Sequence, residues 1–265
     1  MTSYFCKSSQ KYNLSEIERC WLIYRWVSEN ISYDFKSLRE GTQDCTIEGT
    51  YSKGRSVCSG YAALYKHFID NLNVENLKVA GYSKGFSYKF GKTITETETH
   101  EWNVVKIEGV WYFVESTWGA GYSPNGGGPD GEFVKCFNDY HFFTPPDEYI
   151  RGHLPFEEKW QMLKSPKSQN DFMSMADLKS HFYIFGFNKI DPDNTVNKIK
   201  QRGSVKIYFN HKNRFRTKYN DIAVTCKLYN NKNNQEIENS TMTVRKEKYF
   251  ELFYICQDKN EYKFS

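Results

Sequence analysis

Two apolar stretches, 100–107 and 110–116, are separated only by Glu108-Gly109. An acidic residue followed by Gly between such stretches marks a two-residue hairpin turn. That turn fixes a register in which Ile107 faces Val110, Val104 faces Phe113, Trp102 faces Glu115 and His100 faces Thr117. Side chains alternate along a strand, so His100, Trp102 and Val104 share one face, as do Phe113, Glu115 and Thr117. His100 and Glu115 become diagonal neighbours, with Cβ atoms roughly 7–8 Å apart. A slip of one residue would separate them. The expectation is an antiparallel sheet with an imidazole and a carboxylate on one side.

Helices flank this hairpin. Ser15-x-x-Glu18 reads as a capping box, and Ile17, Cys20, Trp21, Tyr24 and Val27 follow at helical spacing over about 16–30. A second apolar stripe begins at Cys58 and runs through Tyr61, Leu64, Tyr65, Phe68 and Leu72. Residues 34–57 read as polar and irregular, 77–82 as a strand, and 85–99 as a turn-rich connection. Glycines crowd 119–131, which reads as a loop beside the site or as an ordinary surface loop. No strand–GxGxxG–helix context is present, so that loop is not expected to bind phosphate. Beyond about 168 come short strand-like runs, 182–187, 205–209, 222–228 and 249–256, separated by Asn/Lys-rich turns. The expected class is α+β. A core of helices on an antiparallel sheet (1–167) precedes a small β-sandwich-like domain (168–265), for which an immunoglobulin-like arrangement is one form.

An aromatic fraction of 17% within 265 residues supports packed cores and argues against global disorder. The formal charge of +4 is small for this length, and no Lys/Arg stripe suggests nucleic acid. No apolar run is long enough to span a bilayer, and the first residues lack the pattern of a signal peptide. Seven cysteines are scattered with no C-x-x-C pair, which favours reduced thiols over a disulfide framework or a zinc knuckle. Neither a metal nor a cofactor is expected. The expected location is the cytoplasm, and oligomeric state is left open.

One cysteine stands out. Cys58 lies in Arg55-Ser56-Val57-Cys58-Ser59-Gly60-Tyr61, at the start of the second helix. A free thiol has a pKa near 8.5 and is mostly protonated at neutral pH. A helix N-terminus and a neighbouring imidazolium both favour the thiolate. Packing that helix on the sheet would bring His100 to Cys58 as base, with Glu115 accepting the other imidazole N–H. The Cys58 backbone N–H would serve an oxyanion. Trp102, Trp118 and Ser59 are candidates for the substrate cleft.

At these residues the sequence resembles the transglutaminase-like superfamily, and within it the kyphoscoliosis peptidase branch. The resemblance rests on Arg55-Ser56-Val57-Cys58-Ser59-Gly60-Tyr61-Ala62, Val79-Ala80-Gly81-Tyr82, His100-Glu101-Trp102-Asn103 and Val114-Glu115-Ser116-Thr117-Trp118-Gly119. Arg25 to Asp34 and the stretch from His141 to Leu163 extend it, so that it covers about 15–165. It implies a papain-type thiol enzyme with a Cys-His-Asp triad, in which Cys58 is nucleophile and His100 base. Glu115 stands where the family usually has Asp. The implied activity is acyl transfer on protein substrates, by hydrolysis or transamidation. The alternative is a weakly active or inactive scaffold for cytoskeletal proteins, in keeping with the family's cytoskeletal links. Peptide N-glycanase, another relative, carries zinc-binding Cys pairs that this chain lacks.

Overall fold

A computed structural model of the chain describes every residue except 86, 89–93, 96–98, 125–130, 194–201, 210–227, 231–236, 238–240, 247, 256–261 and 265. The chain divides into two compact units, Met1–Met173 and Ser174–Ser265. Among the described residues, no helix is long and apolar enough to cross a membrane.

The first unit is built on two helices and a sheet. Helix α1 (Thr2–Lys11) buries Phe5 and precedes α2 (Glu16–Asn30). Ser15 caps α2 through the Glu18 backbone N–H, and the Glu18 carboxylate returns to the Ser15 N–H. Cys20, Ile23, Tyr24 and Val27 form the buried stripe, whereas Ile17 in the first turn stays exposed.

The segment expected to be irregular is more ordered than its polarity suggests. Strand β1 (Ser32–Tyr33) pairs in parallel with β2 (Arg55–Ser56), and α3 (Phe35–Glu40) and α4 (Ile47–Lys53) lie between them. Asp34 and Thr46 cap the two helices, and Gly41 and Gly54 end them at positive φ. Helices this short have too few apolar positions for a stripe, so only the caps signal them.

Helix α5 (Cys58–Asp70) buries Tyr61, Leu64, Tyr65, Phe68 and Ile69. It packs with α2 against β3 (Asn76–Ser83) and β4 (Thr99–Ile107). Asn103 on β4 fastens it, donating from Nδ2 to the Ala62 carbonyl at 3.0 Å. Strand β4 continues into β5 (Val110–Val114) through Glu108 and Gly109, both at positive φ as the tight turn requires. The register is the expected one from Ile107↔Val110 to Asn103↔Val114. It stops there, because Glu115 leaves the sheet to cap α6 (Ser116–Gly119). The expected pairs Trp102–Glu115 and His100–Thr117 therefore do not form. Ser28 on α2 donates to the Ser116 carbonyl at 3.1 Å and ties α6 to the core.

A short ladder of β6 (Gly121–Tyr122) and β7 (Val134–Lys135) follows, with Gly126, Gly127 and Gly128 of the glycine-rich stretch outside the described residues. Helix α7 (Pro146–Tyr149) leads to β8 (His153–Pro155), which completes an antiparallel sheet of order β5-β4-β3-β8. Alternate residues of β4 serve two cores. Val105 and Ile107 pack with α2 and α5, and Trp102 and Val104 pack with Val79, Phe113 and Tyr149. Helix α8 (Gln169–Ser174) runs to the division between the units.

In the second unit, 182–187 is not the strand expected. Helix α9 (Ser180–Ile184) occupies it, Gly186 turns the chain at φ 82, and β9 (Phe187–Asp191) follows. Aromatic residues such as Phe182 and Phe187 satisfy either period, so spacing alone could not decide here. Strand β10 (Arg202–Phe209) pairs with β9 and with β13 (Tyr249–Ile255), and β12 (Thr241–Arg245) lies on the far side of β13. A separate antiparallel pair joins β11 (Leu228–Asn230) and β14 (Tyr262–Phe264). Phe187, Phe250 and Leu252 form a buried cluster. The expected strand at 222–228 falls almost wholly outside the described residues.

Candidate active site

Cys58 opens α5. Val57 is the N-cap and supplies no side-chain acceptor, so the Cys58 and Ser59 N–H groups have no side-chain cap and the positive end of the helix lies at the thiol. Cys58 and Ser59 are both partly exposed. Gly60 lets the first turn sit tightly, since a Cβ there would collide with Ser56 Oγ and stand 2.5 Å from Thr50 Oγ1.

His100 is 7% exposed. Its Nε2 lies 2.7 Å from Glu115 Oε2, and the ring stands near enough to Cys58 to lower the thiol pKa by its charge and by hydrogen bonding. With Nε2 committed to the carboxylate, Nδ1 is the nitrogen that serves the sulfur. Glu115 is fully buried and divides its two oxygens. Oε1 accepts the backbone N–H groups of Thr117 at 2.9 Å and Trp118 at 3.2 Å. Oε2 faces His100. The Glu115 backbone is held too, its N–H donating to the His141 carbonyl at 3.0 Å. His100 and Glu115 thus meet through a helix cap rather than across the hairpin. The longer Glu side chain reaches both the cap donors and the imidazole.

The electrostatics follow from this chain of contacts. Burial acts to raise the Cys58 pKa, but the His100 charge, its hydrogen bond and a backbone hydrogen bond from Glu101 outweigh burial and bring it below its ordinary value. Burial disfavours charge on His100, yet the Glu115 carboxylate and the Cys58 thiolate hold the imidazolium above its usual range. Burial would raise Glu115, and the charges and hydrogen bonds of His100 and His153 hold it well below the usual carboxylate range. Cys20 moves the opposite way, pushed up to about 12 by burial, and burial also raises Cys45. The site favours a thiolate–imidazolium pair at Cys58 and His100.

The aromatic candidates separate. Trp102 is 1% exposed and belongs to the core, with its ring 6.0 Å from that of His100. It lies beneath the imidazole and lines no open cleft. Trp118 is half-buried, its ring 5.8 Å from His100 and 4.2 Å from His153.

His153 is the residue that sequence reading missed. It sits on β8, buried, with Nε2 3.4 Å from Glu115 Oε2 and its ring stacked on Tyr149. Strand β3 separates β8 from β4, and its Gly81 pairs with both His100 and Pro155. A Cβ on Gly81 would collide with the Leu154 carbonyl and press on the Trp102 ring. The glycine permits the close packing that lets imidazoles from two non-adjacent strands meet one carboxylate. The stretch containing His153 was legible as part of a resemblance, but no local spacing marks that histidine.

A partly exposed thiol at a helix N-terminus, with a buried imidazole and carboxylate behind it, defines a candidate thiol active site. Residues 7–116 match the core model of the transglutaminase-like superfamily, a superfamily that includes cysteine-dependent acyl transferases. The chain thus carries a transglutaminase-like core domain and is homologous to the kyphoscoliosis peptidases over about two thirds of its length. It is 32% identical to kyphoscoliosis peptidase of Mus musculus over 69% of this chain and 27% of the relative. The figure for the Homo sapiens protein is 31% over the same shares. Hillarin of Drosophila melanogaster is 27% identical over 67% of this chain and 22% of its own length. The chain spans about a quarter of the length of these relatives.

Proposed function

We propose that this chain is a cysteine-dependent acyl-transfer enzyme acting on protein, with Cys58 as nucleophile, His100 as acid and base, and Glu115 as the group that orients His100. The observation that carries this reading is the buried His100–Glu115 hydrogen bond set beside a thiol whose pKa that imidazole lowers, with Cys58 alone of the three partly open to solvent. The Cys58 sulfur attacks the carbonyl carbon of a backbone amide or a Gln carboxamide, and the carbonyl electrons move to oxygen. The uncapped N–H at the start of α5 stabilises that oxyanion. His100 gives its proton to the departing amine or ammonia as the C–N bond breaks, leaving a thioester on Cys58. Water or a Lys amine then attacks the thioester, His100 takes the proton from the attacking group, and the C–S bond breaks to release the acyl product and restore the Cys58 thiolate beside the imidazolium.

The word peptidase in the name of two relatives favours water as acceptor. Protein substrates are likewise part of the proposal. The test is to incubate the chain with denatured casein, with and without a biotinylated primary amine. Cleavage fragments or deamidated Gln support hydrolysis, and biotin on casein supports transamidation. Cys58→Ser should remove whichever product appears. No product from wild type, with no selective reactivity of Cys58, would favour an inactive scaffold.

A further inference from the structure

We propose that His100, Glu115 and His153 form a binding site for a divalent transition-metal ion of the zinc type, and that its occupancy switches off Cys58. The inhibitory part rests on the proposed thiol chemistry; the binding part does not.

The donors are two imidazole nitrogens and one carboxylate oxygen, all within 4.8 Å of one another and all on buried residues. Zinc holds His nitrogen and carboxylate oxygen at about 2.0–2.2 Å, which places tetrahedral ligand atoms about 3.3 Å apart. Two of the separations here are 2.7 Å, from His100 Nε2 to Glu115 Oε2, and 3.4 Å, from His153 Nε2 to the same oxygen. To admit an ion, the His100–Glu115 pair must open by roughly 0.6 Å, while the His153–Glu115 separation already matches. Two imidazoles with one carboxylate are a donor set suited to zinc and its neighbours, leaving a further position for water. The carboxylate is already fixed from behind, because Thr117 and Trp118 N–H groups hold Oε1. Such outer contacts orient a ligand before the metal arrives.

Inhibition follows from the tautomer. A metal on Nε2 of His100 displaces the proton that Glu115 otherwise receives, and that proton leaves to solvent. Neutral, metal-bound His100 then carries its remaining hydrogen on Nδ1, the nitrogen facing Cys58. It has no lone pair with which to take the thiol proton. The carboxylate is also spent on the metal and no longer favours an imidazolium. Cys58 itself is not a ligand in this arrangement.

The test uses the full chain, chelator-treated and kept reduced, with zinc chloride as probe. Binding is measured by competition with a fluorescent chelator on wild type, Cys58→Ser, His153→Gln and His153→Phe. The Phe variant keeps a ring against Tyr149 and Trp118, and circular dichroism checks the fold of each. Wild type and Cys58→Ser should share one tight site, weakened at least tenfold in both His153 variants. Zinc should slow alkylation of Cys58 in wild type at least tenfold, reversed by chelator, and far less in folded His153→Phe. Tight binding unaffected by His153, or lost in Cys58→Ser, would overturn the proposal. So would tight binding that leaves Cys58 alkylation unchanged. Since Cys58→Ser still reports metal binding, a protein that binds zinc but forms no thioester would lose the acyl-transfer reading and keep the site.

Discussion

Replacing Glu115 with Gln exchanges one buried oxygen for an amide nitrogen and leaves shape almost unchanged. The two oxygens have different work. Oε1 accepts two backbone N–H groups, so an amide nitrogen there would face two buried donors, costing about 1–3 kcal/mol for each one left unmade. The Gln oxygen therefore takes that position, and the NH2 group faces His100 Nε2. His100 must then present a lone pair at Nε2 and carry its hydrogen on Nδ1, the wrong tautomer for accepting the Cys58 proton. Without the imidazolium, the thiol returns toward a pKa of about 8.5, where roughly 1% is thiolate at pH 6.5. Relative to a fully ionised thiol, that is a fall in alkylation rate of up to about 100-fold, or up to about 2.7 kcal/mol at 1.36 kcal/mol per decade. Turnover should fall further, by about 10⁴-fold, as it does when a triad acid becomes an amide elsewhere. The assay is iodoacetamide labelling at pH 6.5, followed peptide by peptide, with the other cysteines as internal references. Labelling of Cys58 within about threefold of wild type would refute the assignment of Glu115.

Other predictions follow from the same contacts. His100→Ala should remove the selective labelling of Cys58 at pH 6.5, leaving it no faster than the other thiols in the same digest. For pH dependence, the thiol pKa is depressed and the imidazole pKa raised. The ion pair therefore spans the pH range between them, and the alkylation rate of Cys58 should fall much less between pH 8.5 and 6.5 than that of a denatured control, which drops about 50-fold. The depressed Glu115 pKa adds stability above the ordinary carboxylate pKa, which is lost as pH falls through the folded value. Acid denaturation should come at lower pH in wild type than in Cys58→Ser/His100→Ala, where the buried carboxylate has lost the nearer of its two imidazole partners. Gly81→Ala forces a methyl onto the Leu154 carbonyl and the Trp102 ring. It should cost about 1–3 kcal/mol in urea unfolding and slow Cys58 alkylation, since His100 pairs with that glycine across the ladder. Ser15→Ala should cost about 1 kcal/mol through the lost cap and leave alkylation unchanged.

What the sequence made legible depended on whether a signal was local. The Ser15–Glu18 capping box gives the start of α2 directly, and the Glu108-Gly109 turn gives the ladder as far as Asn103↔Val114. The hairpin led to the contact between His100 and Glu115, but by a different route. Strand pairing ends at Val114, and Glu115 reaches the imidazole as the cap of α6, an outcome that depends on the Thr117 and Trp118 donors. Helices α3 and α4 left no apolar stripe, so their signals were the caps Asp34 and Thr46 and the glycines that end them. His153 was invisible to spacing because its place beside Glu115 arises from the order of strands, with β3 between β8 and β4. Trp102, a cleft candidate on sequence, follows His100 on the same face of β4. Burial by Tyr149 and Val79 makes it core instead.

The central claim is that Cys58 forms a covalent acyl intermediate with His100 and Glu115 behind it. The direct measurement is rapid-quench mass spectrometry of the full chain with an activated ester such as p-nitrophenyl acetate. The account predicts a burst of about one equivalent of nitrophenol, with the acyl group located on Cys58 and the burst abolished in His100→Ala. No burst, or acylation spread over the other thiols at comparable rates, would contradict it.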